Sequence, residues 1–209
     1  MTADDHEHHQ DHDHHHHEHV PVEYKDAVEG FRLDKDEYFK TMPGSPIPEA
    51  ERGTFSGLPY YPVDEALVFE DRVLEPYTGD EPSNFQIPTS DGKLRPARRA
   101  GVLRFELGGA ARQLTAYAFD EAGHGEGDRG ESDGQSLFVP FLDATSGTET
   151  YGAGRYLDLE PEEDGTYTLD FNLAYHPSCV YDPKYSCPLT PAENRLPDRI
   201  EAGERLAPA

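Results

Sequence analysis

A short stretch near residue 150 combines residue types that bind anions in proteins. Residues 145–155 contain hydroxyl side chains and three glycines, and the stretch ends at Arg155. Backbone N–H groups in a glycine-bearing turn can form a concave anion site, and a guanidinium adds paired donors suited to carboxylate or phosphate. No nucleotide-binding fingerprint is present. The stretch predicts either a ligand site anchored by Arg155 or a tight connection whose arginine pairs with Glu149 or Glu204.

A carboxylate and an amide, Asp170 and Asn172, project from one face of a later predicted strand. A carboxylate beside phenols in a partly apolar pocket has a raised pKa and can act as a general base. The other interpretation is a satisfied hydrogen-bond network on a half-buried sheet. Asp170 and Glu204 are the candidate catalytic groups. The predicted ligand-binding residues are Arg155, Tyr151, Asp170, Asn172, Tyr175, Asn194 and Arg195.

The only two cysteines of the chain are Cys179 and Cys187. With His176 and Asp182 they offer mixed ligands for one zinc ion, but seven residues separate the two thiols. Structural zinc sites usually place two to four residues between paired cysteines. A pair of reduced thiols is therefore the first interpretation, a disulfide the second and a metal site the third.

The first nineteen residues contain nine of the eleven histidines, interleaved with acids. Neutral imidazoles bind Zn, Ni or Cu, and these are the possible cofactors of the segment. The alternative roles are buffering and solubilisation. Residues 1–20 have too few apolar side chains to form a hydrophobic core and are predicted to be a disordered tail. The histidines are His6, His8, His9, His12, His14, His15, His16, His17 and His19.

The chain is strongly acidic, with 42 Asp and Glu against 18 Lys and Arg and a formal charge of −24. Such a charge repels nucleic acid and anionic membranes, so neither is an expected partner. No run of about 18 apolar residues could span a membrane, and the N-terminus lacks the apolar stretch of a signal peptide, so we expect a cytoplasmic protein. The sequence does not predict the oligomeric state.

One amphipathic helix is predicted over residues 23–42, with Lys35 interrupting its apolar stripe. Only short strands are predicted after it, separated by turn residues. This pattern predicts a mainly β fold, an antiparallel sandwich or partly open barrel with one N-terminal helix and long loops, as a single domain over 21–209. Residues 121–135 are predicted to be a loop. The predicted strands are 66–74, 85–88, 100–107, 112–119, 137–141, 155–159 and 166–172.

Two hairpins are predicted from their turns. Gly108-Gly109 joins the first, and residues 161–165 join the second. Matching apolar faces in the second hairpin places Leu157 opposite Leu169 and Arg155 on the apolar side, where its guanidinium needs a carboxylate or a bound anion. We then expect Arg155, Asp170 and Asn172 to face a common hollow.

Several ordered motifs resemble a known family. They include Phe31-Arg32 with Lys35-Asp36, Phe55-Ser56-Gly57-Leu58, Phe138-Val139-Pro140-Phe141, Glu149-Thr150-Tyr151-Gly152-Ala153-Gly154-Arg155, Leu169-Asp170-Phe171-Asn172 and Glu193-Asn194-Arg195-Leu196. From Phe31 onward the chain resembles the domain of unknown function 1684 family (DUF1684) of bacteria and archaea. The resemblance implies no reaction. At His176 this chain departs from the family, which usually has asparagine there.

Three functions remain open from the sequence. The first is binding of a small polar or anionic ligand by the segment from Thr145 to Arg195. The second is an enzyme that uses Asp170 or Glu204 as acid or base at the same site. The third is metal handling by the histidine-rich tail. The sequence does not decide whether the protein is an enzyme.

The charge also predicts a dependence on salt. Removing the tail's six acids leaves 36 acidic and 18 basic residues, so the domain itself carries about −18. Molar salt shortens the Debye length to about 3 Å and screens this self-repulsion. For a protein of a halophilic cytosol we expect the melting temperature to rise steeply from low to molar KCl. A flat or falling curve would instead indicate an ordinary protein with acidic tail and loops.

Overall fold

The N-terminal helix α1 spans Tyr24–Thr41 in the computed structural model, which describes residues 23–119 and 135–207. It lies within the predicted range, and Pro43 follows its end. The buried residues of α1 are Val28, Arg32 and Phe39, so its inner face carries a charged side chain as well as apolar ones. The predicted tail, residues 1–20, and residues 121–134 of the predicted loop lie outside the described residues.

Short strands account for most of the remaining regular structure, as predicted. A one-turn helix, α2 (Glu49–Arg52), precedes them. Strand β3 begins six residues earlier than predicted, because its first half is rich in arginine and lacks apolar alternation. The strands are β1 (Val68–Arg72), β2 (Asn84–Pro88), β3 (Leu94–Leu107), β4 (Ala110–Ala118), β5 (Leu137–Phe141), β6 (Arg155–Leu159) and β7 (Tyr167–Asp170).

The strands form two antiparallel sheets. One has the order β2-β3-β4-β5-β6, and the other pairs β1 with β7. The predicted hairpin at Gly108-Gly109 is confirmed: it joins β3 to β4, and both glycines have the positive φ that such a two-residue turn requires. The sheets do not close into a barrel, so the fold class is confirmed as mainly β and antiparallel with an N-terminal helix.

The predicted second hairpin is wrong in its pairing. Strand β6 pairs with β5, whereas β7 pairs with β1 in the other sheet, so Asp170 lies opposite Val68. The predicted apolar faces are nevertheless buried in one core between the sheets, which includes Leu157 and Leu169. Alternation of apolar residues fixes which face of a strand is buried. It does not fix the partner strand, because two strands that face each other across a core show the same alternation as two strands that pair side by side.

The C-terminal segment, residues 196–206, is part of this core. Its Leu196, Ile200 and Ala202 are buried with the sheet residues. Gly203 has a φ of +73°, and a Cβ there would lie 2.8 Å from the carbonyl oxygen of Phe171. The segment therefore passes too close to neighbouring backbone for a side chain at this position.

We expect Gly203→Ala to be much more destabilising than Gly109→Ala. Both glycines have positive φ, at +73° and +77°, but a Cβ at Gly109 meets nothing within 4 Å. Each substitution costs about 1–2 kcal/mol of backbone strain, and Gly203→Ala adds a steric cost of about 1–3 kcal/mol. Urea unfolding of the two variants measures this difference, and equal losses would contradict the close approach.

Candidate functional site

Arg155 lies at the start of β6 and is 1% exposed. Its guanidinium donates to the backbone carbonyls of Ile200, Ala202 and Glu204. The carboxylate that the sequence analysis required is supplied by Asp143, whose Oδ2 is 3.6 Å from Nη2. Burial lowers the pKa of Arg155, and the Asp143 charge opposes this shift. In this arrangement Arg155 fastens the C-terminal segment to the large sheet.

The glycine-bearing stretch before Arg155 uses its donors internally. The N–H groups of residues 148–150 donate to the carbonyl of Thr145, and Gly147 N–H donates to the carbonyl of Thr150. The Thr145 hydroxyl bonds the Asp143 carboxylate at 2.9 Å. This matches the interpretation as a tight connection, except that the charged partner of the arginine is Asp143 rather than Glu149 or Glu204.

Asp170 and Asn172 belong to a hydrogen-bond network that holds the first turn of α1. Tyr24 Oη donates to Asp170 Oδ2 at 2.8 Å, and the N–H of Asn172 donates to Oδ1 at 2.8 Å. The Asn172 amide accepts from the N–H of Asp64 and donates to its carbonyl, both at 2.8 Å. Burial, and then the Asp170 carboxylate, raise the pKa of Tyr24.

The remaining predicted residues are spread over the fold. Asn194 is fully buried and joins β4 to β5, since its amide bonds the backbone of Thr115 and donates to the carbonyl of Pro140. Arg195 is exposed and bridges Leu142 through its backbone. The structure therefore shows Arg155, Asp170 and Asn194 in three separate hydrogen-bond networks.

A different group of polar side chains meets where α1 crosses the C-terminal segment. Glu204 is 1% exposed, and its Oε2 accepts from the N–H of His176 at 2.7 Å and from Tyr181 Oη at 2.9 Å. Lys35 Nζ lies 2.6 Å from Oε1. The two atoms form an ion pair, but they are not aligned as a hydrogen bond. We name this group the Lys35–Glu204 cluster: it comprises Lys35, Asp36, Tyr60, His176, Tyr181 and Glu204.

Two buried polar atoms of this cluster, the Tyr60 hydroxyl and Glu204 Oε1, lack a hydrogen-bond partner among the described residues. Burial raises the pKa of Tyr60, and the carboxylates of Glu204 and Asp36 add to the shift. Asp36 accepts the N–H of Leu58 at 2.9 Å, yet burial and the Glu204 charge raise its pKa. Unsatisfied buried polar groups are rare in folded proteins and call for a specific explanation.

Aromatic rings and thiols border the cluster. The Lys35 ammonium lies 4.8 Å from the ring centre of Tyr175, which donates its hydroxyl to Asp158 at 2.6 Å. Tyr151 donates its N–H to His176 Nε2 at 3.2 Å, and its hydroxyl hydrogen-bonds Cys179. Tyr151 and Tyr175 are thus the predicted ligand-binding residues that the structure brings next to this cluster.

The possible metal sites are only partly within the described chain. In residues 23–119 and 135–207, no three His, Cys, Asp or Glu side chains are arranged to hold a metal ion. The histidines from His6 to His19 lie outside these ranges. Cys179 and Cys187 are present as free thiols. Across the same ranges no helix is both long and apolar enough to cross a bilayer.

The part of Lys35 in this cluster was not predicted from the sequence, where the lysine interrupts an apolar stripe. A charged residue inside such an apolar stripe, four residues before the buried Phe39, indicates a buried ion pair. The sequence therefore contained a signal for the role of Lys35. Tyr60 and Tyr181 lie in irregular segments and carry no comparable signal.

Comparison with known proteins gives a family and a fold. The family described as "Protein of unknown function (DUF1684)" matches residues 53–205. Five solved chains match; one is the solution NMR structure of an uncharacterised protein of Haloarcula marismortui, with 36% identity and a TM-score of 0.61. That match covers 86% of this chain and 92% of the other. Among curated proteins, none matches.

We expect His176 to make stability depend on pH. Burial lowers its pKa to about 4, while nearby Glu204 opposes this and Arg155 and Lys35 add to it. The unfolded value is about 6.5, so the unfolded chain binds the extra proton first. This contribution is complete above about pH 6.5 and falls by up to about 1.4 kcal/mol per pH unit as the pH drops toward 4.

His176→Asn removes this titration while keeping a side chain that can accept the N–H of Tyr151. Urea unfolding between pH 7 and 4.5 should therefore give a flatter curve for the variant than for the wild type. Parallel curves would show that His176 is not the group responsible.

Proposed function

Because the chain belongs to the DUF1684 family of proteins of unknown function, we propose a function from its own geometry: it binds a small polar ligand at the Lys35–Glu204 cluster. Of the predicted small polar or anionic ligands we keep the polar ones, and the anchor moves from Arg155 to Lys35. Tyr151 and Tyr175, at the border of the cluster, remain orienting groups of the proposed site.

The observation that carries this proposal is the buried hydroxyl of Tyr60 with no partner among the described residues. Leaving a buried donor unsatisfied costs about 1–3 kcal/mol. In the same cluster, an ammonium with three donors contacts one carboxylate oxygen. A bound molecule with hydroxyl or amide groups would satisfy both the phenol and the remaining donors of Lys35.

Access to the cluster is from the side of Lys35. Its side chain remains 17% exposed while its partner Glu204 is 1% exposed. The rings of Tyr175 and Tyr181 beside it are half-buried. Lys35 is therefore more accessible to a small molecule than Arg155, which is 1% exposed and bonded to the C-terminal segment.

The charges of the cluster favour a neutral ligand over an anion. Glu204 already neutralises Lys35, and Asp36 adds a second carboxyl group close by. An anion would need a free cation, but the Nη atoms of Arg155, and those of Arg32 against the Tyr60 ring, are bonded to carbonyls. We therefore propose a ligand that carries donors and acceptors but no net negative charge.

Catalysis at the same cluster is the second candidate function. Both oxygens of Asp170 accept hydrogen bonds, from Tyr24 and from Asn172. Glu204 retains one oxygen, Oε1, whose contact with Lys35 lacks the alignment of a hydrogen bond. Of the two predicted acid–base residues, Glu204 is therefore the one that a bound substrate could reach.

We also infer that the protein functions at high salt. The net charge of the domain supports this, and the solved relative comes from Haloarcula marismortui. Binding is therefore best measured in molar KCl, where charge self-repulsion is screened.

The test is a thermal-shift screen of the full chain in molar KCl, followed by calorimetry on the hits. The neutral probes are polyols, sugars and small amides, and inorganic phosphate and acetate form the anionic arm. We expect a neutral probe to raise the melting temperature. Responses from the anionic arm alone, or from no probe, would contradict the proposal. Turnover of a hit that is lost in Glu204→Gln would establish the catalytic alternative.

Tyr60→Phe is the critical variant. Because the hydroxyl lacks a partner, its removal should leave the ligand-free protein equally stable or stabilise it by up to about 1 kcal/mol. The same change should weaken probe binding about tenfold or more, equal to about 1.4 kcal/mol or more. Tyr38→Phe, on the exposed face of α1, is the matched control. Unchanged affinity in Tyr60→Phe would refute the role of this hydroxyl.

Lys35 is tested in a double variant, since removing it alone would leave Glu204 buried and unpaired. Lys35→Met with Glu204→Gln removes both charges, and Lys40→Met on the same helix is its control. We expect the double variant to fold and to lose the probe response. A retained response would place the ligand elsewhere.

A further inference from the structure

The two thiols of the chain lie against each other, at the border of the Lys35–Glu204 cluster. Cys187 Sγ accepts the backbone N–H of Cys179 at 3.3 Å, and the two side chains also hydrogen-bond each other. Cys179 is half-buried and Cys187 is 8% exposed. Because they are the only cysteines in the sequence, each thiol has one possible intramolecular partner.

Both sides of the pair are held in place by backbone hydrogen bonds. Cys187 is fixed to the turn between β2 and β3, since its carbonyl accepts the N–H of Ser90 at 2.8 Å and its own N–H donates to Ser90 Oγ at 3.1 Å. Cys179 lies in the helical turn Ser178–Val180, and the hydroxyl of Tyr151 hydrogen-bonds its thiol. The contact between the thiols is therefore part of the folded architecture.

We propose that Cys179 and Cys187 form a site of reversible oxidation, which a small disulfide such as oxidised glutathione converts to an intramolecular disulfide. The oxidant reacts first with Cys179, the more accessible thiol. The buried thiol of Cys187 then resolves the mixed disulfide by displacing glutathione from Cys179. This site does not depend on the ligand proposed for the Lys35–Glu204 cluster.

The reaction balances as two thiol–disulfide exchanges. The Cys179 thiolate attacks one sulfur of oxidised glutathione, the S–S bond of glutathione breaks, and one glutathione thiolate leaves. The Cys187 thiolate then attacks the Cys179 sulfur, and the second glutathione leaves. The two cysteines are oxidised by two electrons, two molecules of glutathione are formed, and the two thiol protons pass to the leaving thiolates through solvent.

The surroundings of Cys187 suit a resolving thiol rather than a first nucleophile. Burial raises the pKa of Cys187 to about 11, although the hydrogen bond from the backbone N–H of Cys179 acts to lower this pKa. The phenols of Tyr151 and Tyr156 face the pair. A buried thiol with a raised pKa resists direct oxidation but reacts with a sulfur already next to it.

The test equilibrates the full native chain with glutathione buffers of increasing oxidised fraction, blocks free thiols with N-ethylmaleimide and measures the intact mass. We expect the wild type to lose the mass of two hydrogen atoms without a disulfide between chains, and with neither cysteine blocked. It should do so at a lower oxidised fraction than the same chain unfolded in guanidinium, because the fold holds the thiols together. Reductant should restore both thiols.

Two single variants assign the order of the steps. Cys187→Ser should stop at one bound glutathione on Cys179, whereas Cys179→Ser should bind glutathione much more slowly at buried Cys187. The oxidised wild type should melt at a higher temperature than the reduced form, since the cross-link restricts the unfolded chain.

Other outcomes would overturn the proposal. They are two bound glutathiones per chain, a disulfide between chains, a native disulfide that needs more oxidising conditions than the unfolded chain, and an oxidised form that melts lower than the reduced form.

Discussion

The buried guanidinium of Arg155 is the interaction on which the rest of this architecture depends. Removing a charge from water costs several kcal/mol unless partners replace the lost hydration. Here three carbonyls of the C-terminal segment and the carboxylate of Asp143 replace it. Asp143 also accepts the N–H of Ile200 at 2.8 Å. The segment is thereby held as a core element, and the position of Glu204, two residues beyond Ala202, follows from this attachment.

Fixing Glu204 in turn determines where the N-terminal helix lies. A buried carboxylate needs a positive partner, and α1 supplies Lys35 from its inner face. Three residues earlier, Arg32 donates to the carbonyls of Tyr61 and Asn172, which anchors the same face. The helix is therefore attached largely through polar contacts. Such contacts constrain its orientation and bring polar side chains together at the crossing.

The sequence predicts which residues are buried much better than it predicts their partners. Strands β5 and β6 have their predicted bounds, because their apolar alternation is regular. The pairing of β6 with β7 failed although their inward faces were right, since face and partner are separate properties. Gly108-Gly109 succeeded because a tight turn is specified by local conformation alone.

The same distinction explains why the residues of the predicted site belong to separate hydrogen-bond networks. Asp170 and Asn172 were selected for residue type, but a satisfied network and a ligand site use the same types. What separates them is whether each donor has a partner, and that depends on residues distant in sequence. Tyr60 illustrates the point: nothing near it in the sequence marks its hydroxyl, and only the folded chain shows that the hydroxyl is buried without a partner in residues 23–119 and 135–207.

A line of hydrogen bonds connects the two proposed sites. Tyr151 bonds Cys179 through its hydroxyl and His176 through its N–H, and the N–H of His176 donates to Glu204. Oxidation of the thiols would replace the partner of the Tyr151 hydroxyl, whereas the backbone bonds to His176 and Glu204 need not change. Because burial keeps His176 neutral near pH 7, this line carries no net charge toward Glu204. The coupling between the sites is therefore expected to act through side-chain positions rather than through charge, and to be weak while the backbone stays fixed.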